Sequence, residues 1–405
     1  MHFTLAWRNI WRNPRRTFVI TIAIVIGTWS MIMGSGFVRG MVEQMVTNAI
    51  ATLTGHIQVH AQGFRSDPAV HCSMPQEEVT RLMKAFLPAE SCWAKRARVN
   101  AVASNARHSR GVTLVGIDPA AEAEVSFIGK AVTQGRYLES EDPYGILIGN
   151  ALMNTLETRL GHKLVLMSED TNNDVASRAF RIVGVFQAGL EATERQYVFV
   201  TLPAAQEMLH LDDRLSEVAI MLADPGMVDE TASALARKLP ASYEVATWQK
   251  LLPIMTAYLK LMDSWIFIWY LVIFIAMGFG IVNTMLMAVF ERIREFGLLK
   301  ALGMKPWWIV RGVLTESVLL LILGSAVGNV AGLLTTMILS TTGIDLSGLA
   351  AGAEYAGLPR IIYPSVRWPD IVLANVLILI LGLGISLYPA ARAARFKPVE
   401  ALAHT

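Results

Sequence analysis

Apolar residues gather in four long runs along this chain, and the stretches between them follow other patterns. Residues 17–38, 264–290 and 371–391 contain no charged side chain, and residues 312–344 contain one, Glu316. About 20 apolar residues wound as a helix cross the ~30 Å hydrocarbon core of a bilayer. Four transmembrane helices are therefore expected, over 17–38, 263–290, 308–340 and 368–391, with a short loop at 341–367. An even number of crossings puts both termini on one side.

Residues 39–262 carry the periods of a folded domain instead. Residues 55–61 alternate polar and apolar as a half-buried strand does. Pro75 with Glu77 and Glu78 marks a helix start, where the dipole favours acids, and the helix runs to 87. A strand follows at 97–102. The same order returns as strand 217–222, helix 227–239 and strand 243–247. Two βαβ units imply a ferredoxin-like porter module, from 39–110 and 211–262, split by a β-rich insert at 111–210. Strand-like runs in the insert lie at 112–117, 145–148, 163–167, 180–186 and 197–201. The expected fold class is thus membrane α-helical with four transmembrane helices and a large α+β extracytoplasmic domain.

Lysine and arginine in the short loops set the orientation. Arg8, Arg12, Arg15 and Arg16 precede the first span, five basic residues lie at 292–311, and Arg392, Arg395 and Lys397 follow the last. These twelve face three acids, Glu291, Glu295 and Glu400. Both termini and the 291–307 loop are therefore expected in the cytoplasm, with 39–262 exported. That exported stretch holds 21 basic and 25 acidic residues, whereas the whole chain is +2. So small a net charge gives no reason to expect nucleic-acid binding. The chain is 53% hydrophobic and 17% charged, against about 25% charged in a soluble domain. The first apolar run is too long for a signal peptide, and no small-x-small site follows it, so it reads as a retained helix.

Catalytic signatures are missing: there is no phosphate loop, no H-E-x-x-H, no G-x-S-x-G and no C-x-x-C. No resident cofactor or metal is expected. His56 and His60 share a strand face without a third ligand and read as solvated surface. Cys72 and Cys92 lie where disulfides form. A bridge would close a loop of about 20 residues and stabilise by roughly 3 kcal/mol on chain-entropy grounds, and two free thiols are the alternative. Glu316, the lone ionisable group of the third span, reads as an interfacial group or the partner of a nearby basic residue. Gly324, Gly328 and Gly332 form a small-residue ridge for close helix approach. The N-terminal residues 1–16 read as an interfacial amphipathic helix, with Phe3, Trp7, Ile10 and Trp11 on one stripe.

The segment ERIREFGLLKALG at 291–303 is a short amphipathic helix by pattern, with Ile293, Phe296, Leu299 and Leu302 on its apolar stripe. Gly303 suits its C-terminal end, and Pro306 stops it. With its continuation, ERIREFGLLKALGMKPWWIVRGVLTESVLL at 291–320, and together with LAWRNIWRNPRRT at 5–17 and YPAARAARFKPVEAL at 388–402, it resembles the MacB/FtsX/LolC-type permeases of ATP-binding-cassette (ABC) systems. The layout of one span, a large exported domain and three more spans is similar too, closest to the lipoprotein-releasing LolC/LolE branch. The aligned stretch 168–179, where LolC carries a protruding hook, is polar here and has neither proline nor aromatic residue.

The resemblance implies an inner-membrane permease subunit with a MacB-like periplasmic core domain. It would pair with a second permease chain, as homodimer or heterodimer, and with two ATPase subunits that bind ATP and Mg. The 291–307 segment would be the coupling helix, docking through Ile293, Phe296, Leu299 and Leu302 with Arg292, Arg294, Glu295, Lys300 and Gly303 around them. A mechanotransmission mechanism would then extract a lipidated or amphiphilic substrate, lipoprotein above all, handed to a periplasmic carrier. Met33, Phe37, Met41, Phe267 and Tyr270 would line the cavity between the first two spans. The alternatives are a tripartite-efflux permease for a small amphiphile or glycolipid, working with a periplasmic adaptor, and FtsX-like signalling to a cell-wall hydrolase.

Overall fold

The computed structural model describes residues 7–8, 11–66, 69–346 and 361–396. The described residues form two compact units, one drawn from 1–44, 258–348 and 360–405, the other from 45–257. Much of the interfacial helix expected at 1–16, including Phe3 and Ile10, lies outside them, as do 347–360 of the loop and 397–405 of the tail. Trp7 and Trp11 are described and meet edge to face at 6.0 Å.

The first unit holds the membrane helices. Helix α1 (Pro14–Ala49) continues as a π-helical turn through Thr54. Its companions here are α8 (Pro253–Glu291), α9 (Ile293–Ala301), α10 (Pro306–Thr342) and α11 (Trp368–Arg395). Among the described residues α1, α8, α10 and α11 are long and apolar enough to cross a membrane. At 1.5 Å per residue, α8 and α10 are each roughly 55 Å long, so they extend well past a ~30 Å hydrocarbon layer.

Without water to drive helices together, close packing and interhelical hydrogen bonds decide how a bundle fits. The glycine ridge does so here. A Cβ on Gly324 would lie 2.6 Å from Ile24, one on Gly328 2.6 Å from Thr28, and one on Gly332 3.0 Å from Ile32, so α10 seats directly on α1. Asn329 and Asn375 exchange amide hydrogen bonds of 2.8 and 3.0 Å, tying α10 to α11 with both amides paired. The core is built from Ile24, Met31, Tyr270, Met277, Ile281, Leu320, Leu321 and Ile378.

The second unit carries one mixed ten-stranded sheet. Strands β1 (Ile57–Ala61), β2 (Cys92–Ser104), β9 (Glu217–Met221) and β10 (Tyr243–Thr247), with helices α2 (Gln76–Phe86) and α7 (Val228–Lys238), form the ferredoxin-like part. Its order, β10-β1-β9-β2, is antiparallel throughout. The insert adds β3 (Ser109–Ile117), α3 (Pro119–Val125), β4 (Val132–Gly135), β5 (Gly145–Gly149), α4 (Asn150–Thr155), β6 (Lys163–Glu169), β7 (Val175–Phe186), α5 (Glu191–Gln196), β8 (Tyr197–Thr201) and α6 (Leu202–Leu209). It continues the same sheet as β2-β3-β8-β5-β7-β4, with β6 bridging β2 and β7. The long β2 thus belongs to both parts.

One face of β1 and β9 packs Ile57, Val59, Val218 and Ile220 against Val79, Met83 and Leu235 of α2 and α7. The opposite face is covered as well, which corrects the reading of its histidines. His56 and His60 are buried rather than solvated. His56 Nδ1 accepts the Leu222 amide at 3.0 Å, while His60 Nε2 meets Gln58 at 2.9 Å and its ring stacks on Phe64. Beside them Arg96 is fully buried, paired with Glu122 at 2.7 Å and Glu217 at 2.9 Å, and it donates to the Leu53 carbonyl of the π-helical turn.

Candidate functional site

Among the described residues, two ionic clusters and an apolar cavity stand out at the membrane helices. The first surrounds α9. Arg292 is the single residue between α8 and α9, at the N-cap of α9, and Gly303 closes α9 with φ +92°, a left-handed conformation that disfavours other residues. Ile293 and Phe296 are buried, and Phe296 joins the bundle core with Met285, Val289, Ile309 and Val313. Leu299 is half-buried against the same core.

This divides the expected docking stripe. Only Leu302 of its four apolar residues is exposed, at 77%. The free face of α9 instead presents Arg294, Leu298 and Leu302, at i, i+4 and i+8. Lys300 does not join that face, because its Nζ donates to the carbonyls of Ala394 and Phe396 at 3.0 and 2.6 Å, at the end of α11. The helix has two apolar stripes, and the aromatic one is used inside.

The polar residues of this region form a chain of alternating sign. Arg12 contacts Glu295 at 2.5 Å, and Glu295 accepts from Arg292 Nε at 3.0 Å. Arg292 Nη1 reaches Glu316 Oε2 at 3.1 Å, and Glu316 Oε1 accepts from Arg16 at 3.0 Å. Arg16 lies 3.5 Å from Glu291, which also accepts from Asn13 at 3.2 Å. Burial works against the Glu295 charge, but the bonds from Arg292 and Arg12 prevail and hold its carboxyl below the usual range. Glu316 therefore does have basic partners, Arg16 and Arg292. The nearby Arg311 instead lies over the Trp308 ring at 5.3 Å.

The second place is near the other end of α1. Arg39 grips Asp370 of α11 with two bonds of 2.9 and 3.0 Å and reaches Asp263 of α8 at 2.5 Å. Tyr270 donates to the Asp370 carbonyl at 3.3 Å. Glu43 accepts from Ser365 at 2.6 Å and Arg367 at 2.9 Å.

The third is an apolar cavity of about 360 Å³ between α1 and α8, lined by Gly34, Phe37, Val38, Met262, Trp265, Ile266 and Trp269. Gly34 makes room for an indole: a Cβ there would stand 2.5 Å from Trp269 Nε1. Of the residues expected to line this space, Phe37 does. Tyr270 is fully buried on the core side of α8, Phe267 is exposed away from the cavity, and Met33 faces Thr336 of α10 at 3.9 Å. Met41 is half-buried and not among the lining residues. Trp265 and Trp269, at i and i+4 with Met262 and Ile266, supply the aromatic wall instead.

Cys72 and Cys92 are free thiols, the first half-buried in the loop before α2 and the second exposed at the start of β2. The β6–β7 hairpin, which contains the polar stretch 168–179, is tied down. Asp170 meets His210 Nδ1 at 2.8 Å, and Thr171 donates to the carbonyls of Leu209 and His210 beyond α6.

Four long apolar helices, a short connecting helix with an exposed face and an α+β unit spliced between the first two spans define a membrane permease. The profile of the MacB-like periplasmic core domain matches residues 17–238, more than half of the chain, and that of the FtsX-like permease C-terminal domain matches 266–398. The chain belongs to this MacB/FtsX family of ABC-transporter permeases. Lipoprotein-releasing system transmembrane protein LolC of Xylella fastidiosa strain Temecula1 is 26% identical over 400 residues, covering 95% of this chain and 91% of its own. The corresponding LolE of Haemophilus influenzae is 23% identical, covering 99% and 98%. The macrolide export ATP-binding/permease protein MacB of Chlorobium phaeobacteroides is 25% identical over 98% of this chain, but this chain spans only 60% of that protein.

Proposed function

We propose that this chain is the permease subunit of an ABC transporter whose ATP and Mg are bound by two separate ATPase subunits. A second permease chain, identical or related as LolC is to LolE, completes the membrane pair. Both termini and α9 face the cytoplasm of the bacterial inner membrane, and the α+β unit is periplasmic. The basic residues around α9 and before α1 support that orientation. The ATPase docks on Arg294, Leu298 and Leu302, the exposed face of α9.

The substrate is lipidated or amphiphilic. The observation that carries this is the apolar cavity between α1 and α8, whose wall of Phe37, Trp265, Trp269 and Met262 suits an alkyl chain. An alkyl chain passing from lipid into such a cavity exchanges one apolar surrounding for another, so aromatic packing rather than a charged partner would hold it. Lipoprotein released toward the outer membrane, through a periplasmic carrier, is the favoured case. Similarity to LolC and LolE over nearly their whole length supports it.

Purification of the full chain from its native membrane tests the reading. An ABC ATPase is expected to accompany it, to be lost with Leu298→Asp, and to be stimulated by an acylated lipoprotein. A complex without ATPase, or one that only a cell-wall hydrolase joins, contradicts it.

A further inference from the structure

Glu316 is a carboxylate one-third of the way along a transmembrane helix, and both of its oxygens are engaged by arginines from different helices. Oε1 takes Arg16 from the start of α1, and Oε2 takes Arg292 from the junction of α8 and α9. The carboxylate is buried, and the two guanidinium groups are nearly so, with side-chain exposures of 10% and 19%. Arg16 Nε and Nη1 are buried with no hydrogen-bond partner, so the bond from Nη2 to Glu316 is this guanidinium's closest compensation, with Glu291 at 3.5 Å beyond it. The connection is continued on the exposed side by Arg12 to Glu295, within α9 itself.

We propose that Glu316 is the joint that ties α9 to α1, so that movement of α9 is delivered to the cavity helix α1 through this carboxylate as well as along the backbone into α8. This rests on α9 being the docking helix. Three features favour a joint over a simple filler of the interface. Glu316 is fixed to α10, which the glycine ridge seats on α1, so it cannot follow one arginine away from the other. Its two partners come from the moving element and from the wall of the cavity. The other ties at this end, Arg12 to Glu295 and both Asn13 and Arg16 to Glu291, end on acids that are 37% and 42% exposed, so Glu316 is the better-shielded connection.

The same arrangement recurs at the Arg39 end. Arg39 is held by the buried Asp370 of α11 and by the exposed Asp263 of α8. At each end, therefore, α1 is anchored by a buried acid to the α10–α11 pair and by an exposed acid to α8. A stroke arriving at Glu316 moves α1 with its anchors, and the weaker contacts to α8 give way, which changes the cavity.

The test uses the full chain co-purified with its ATPase and reconstituted in liposomes. Cys72 and Cys92 are replaced by serine, and Phe37→Cys in the cavity wall is labelled with a membrane-permeant maleimide. Labelling is timed with and without ATP and vanadate. With Glu316 present the trapped state changes the labelling rate. Glu316→Gln is expected to retain ATP hydrolysis but to reduce that change about fivefold or more, the lower range of coupling between sites, and Glu316→Asp restores it. A full response in Glu316→Gln overturns the proposal, and so does loss of ATP hydrolysis together with the response. Should Glu316→Gln not insert, Arg16→Gln, which removes the α1 side of the same contact, carries the same measurement with the same expected and contrary results. Absence of any vanadate response with Glu316 intact refutes α9 as the docking helix, a separate failure.

Discussion

Replacing Arg96 with methionine perturbs the most buried charge in the α+β unit. The guanidinium has no exposed surface, and it pairs with Glu122 and Glu217 while holding the Leu53 carbonyl. Burial works against its charge, but the two carboxylates outweigh that and raise its pKa above the ordinary arginine value. Methionine fills much of the volume but leaves Glu122 buried without its partner and Glu217 with only Arg98, at 3.5 Å. Breaking one side of a buried ion pair costs about 3–5 kcal/mol. For a domain of this size each kcal/mol moves the melting temperature by about 2–4 °C, so a fall of about 6–20 °C is expected. Thermal unfolding of the full chain in nanodiscs, followed at the β-sheet circular dichroism band, reads it. Adding Glu122→Gln and Glu217→Gln should recover much of the loss, because neutral amides need no counter-charge. A shift below about 2 °C, or a triple variant no better than the single, would refute the reasoning.

Other outcomes follow from the same geometry. Gly328→Val places a Cβ 2.6 Å from Thr28 and 2.9 Å from the Val25 carbonyl. Overpacking of this kind costs about 1–3 kcal/mol and should lower the melting temperature of the bundle, whereas Gly312→Ala, where a Cβ meets nothing within 4 Å, should not. Burial pushes the His60 imidazole below its ordinary pKa, only partly opposed by Glu217. The folded state then binds fewer protons than the unfolded, so stability falls as pH drops below about 6.5, by up to about 1.4 kcal/mol per pH unit. His60→Gln should flatten that slope in denaturant titrations between pH 7 and 5, and an unchanged slope would exclude His60 as its source. Maleimide should modify Cys92 and Cys72 without prior reduction, Cys92 faster; labelling that requires a reductant would show a bridge instead.

Much of the architecture was legible because each element had its own period. The four spans announce themselves by length without charge, and β1, α2, β9, α7 and β10 by alternation and helical spacing. The sheet order was not legible, since nothing local in 92–104 says that this one strand serves both the porter module and the insert. His56 and His60 misled for a related reason: alternation shows that they share a face, not that the Leu222 backbone, Gln58 and the Phe64 ring meet them there. At α9 the periodicity was correct and the direction was not. Ile293–Phe296 and Arg294–Leu298–Leu302 both have helical spacing, and only the fold decides which stripe enters the core. Glu316 stood out as a charge in a span, but its partners lie 300 and 24 positions away in sequence. Trp265 and Trp269 could have been found as an i, i+4 aromatic pair near the end of a span.

The proposed function has an amphiphile leave through the α1–α8 cavity under the drive of ATP. A photo-crosslinking amino acid at Trp269, in the full chain within native membranes, tests it most directly. The expected adduct carries a lipidated polypeptide, disappears during ATP turnover and persists when ATP is withheld. Adducts with bulk phospholipid alone, unchanged by ATP, would contradict it.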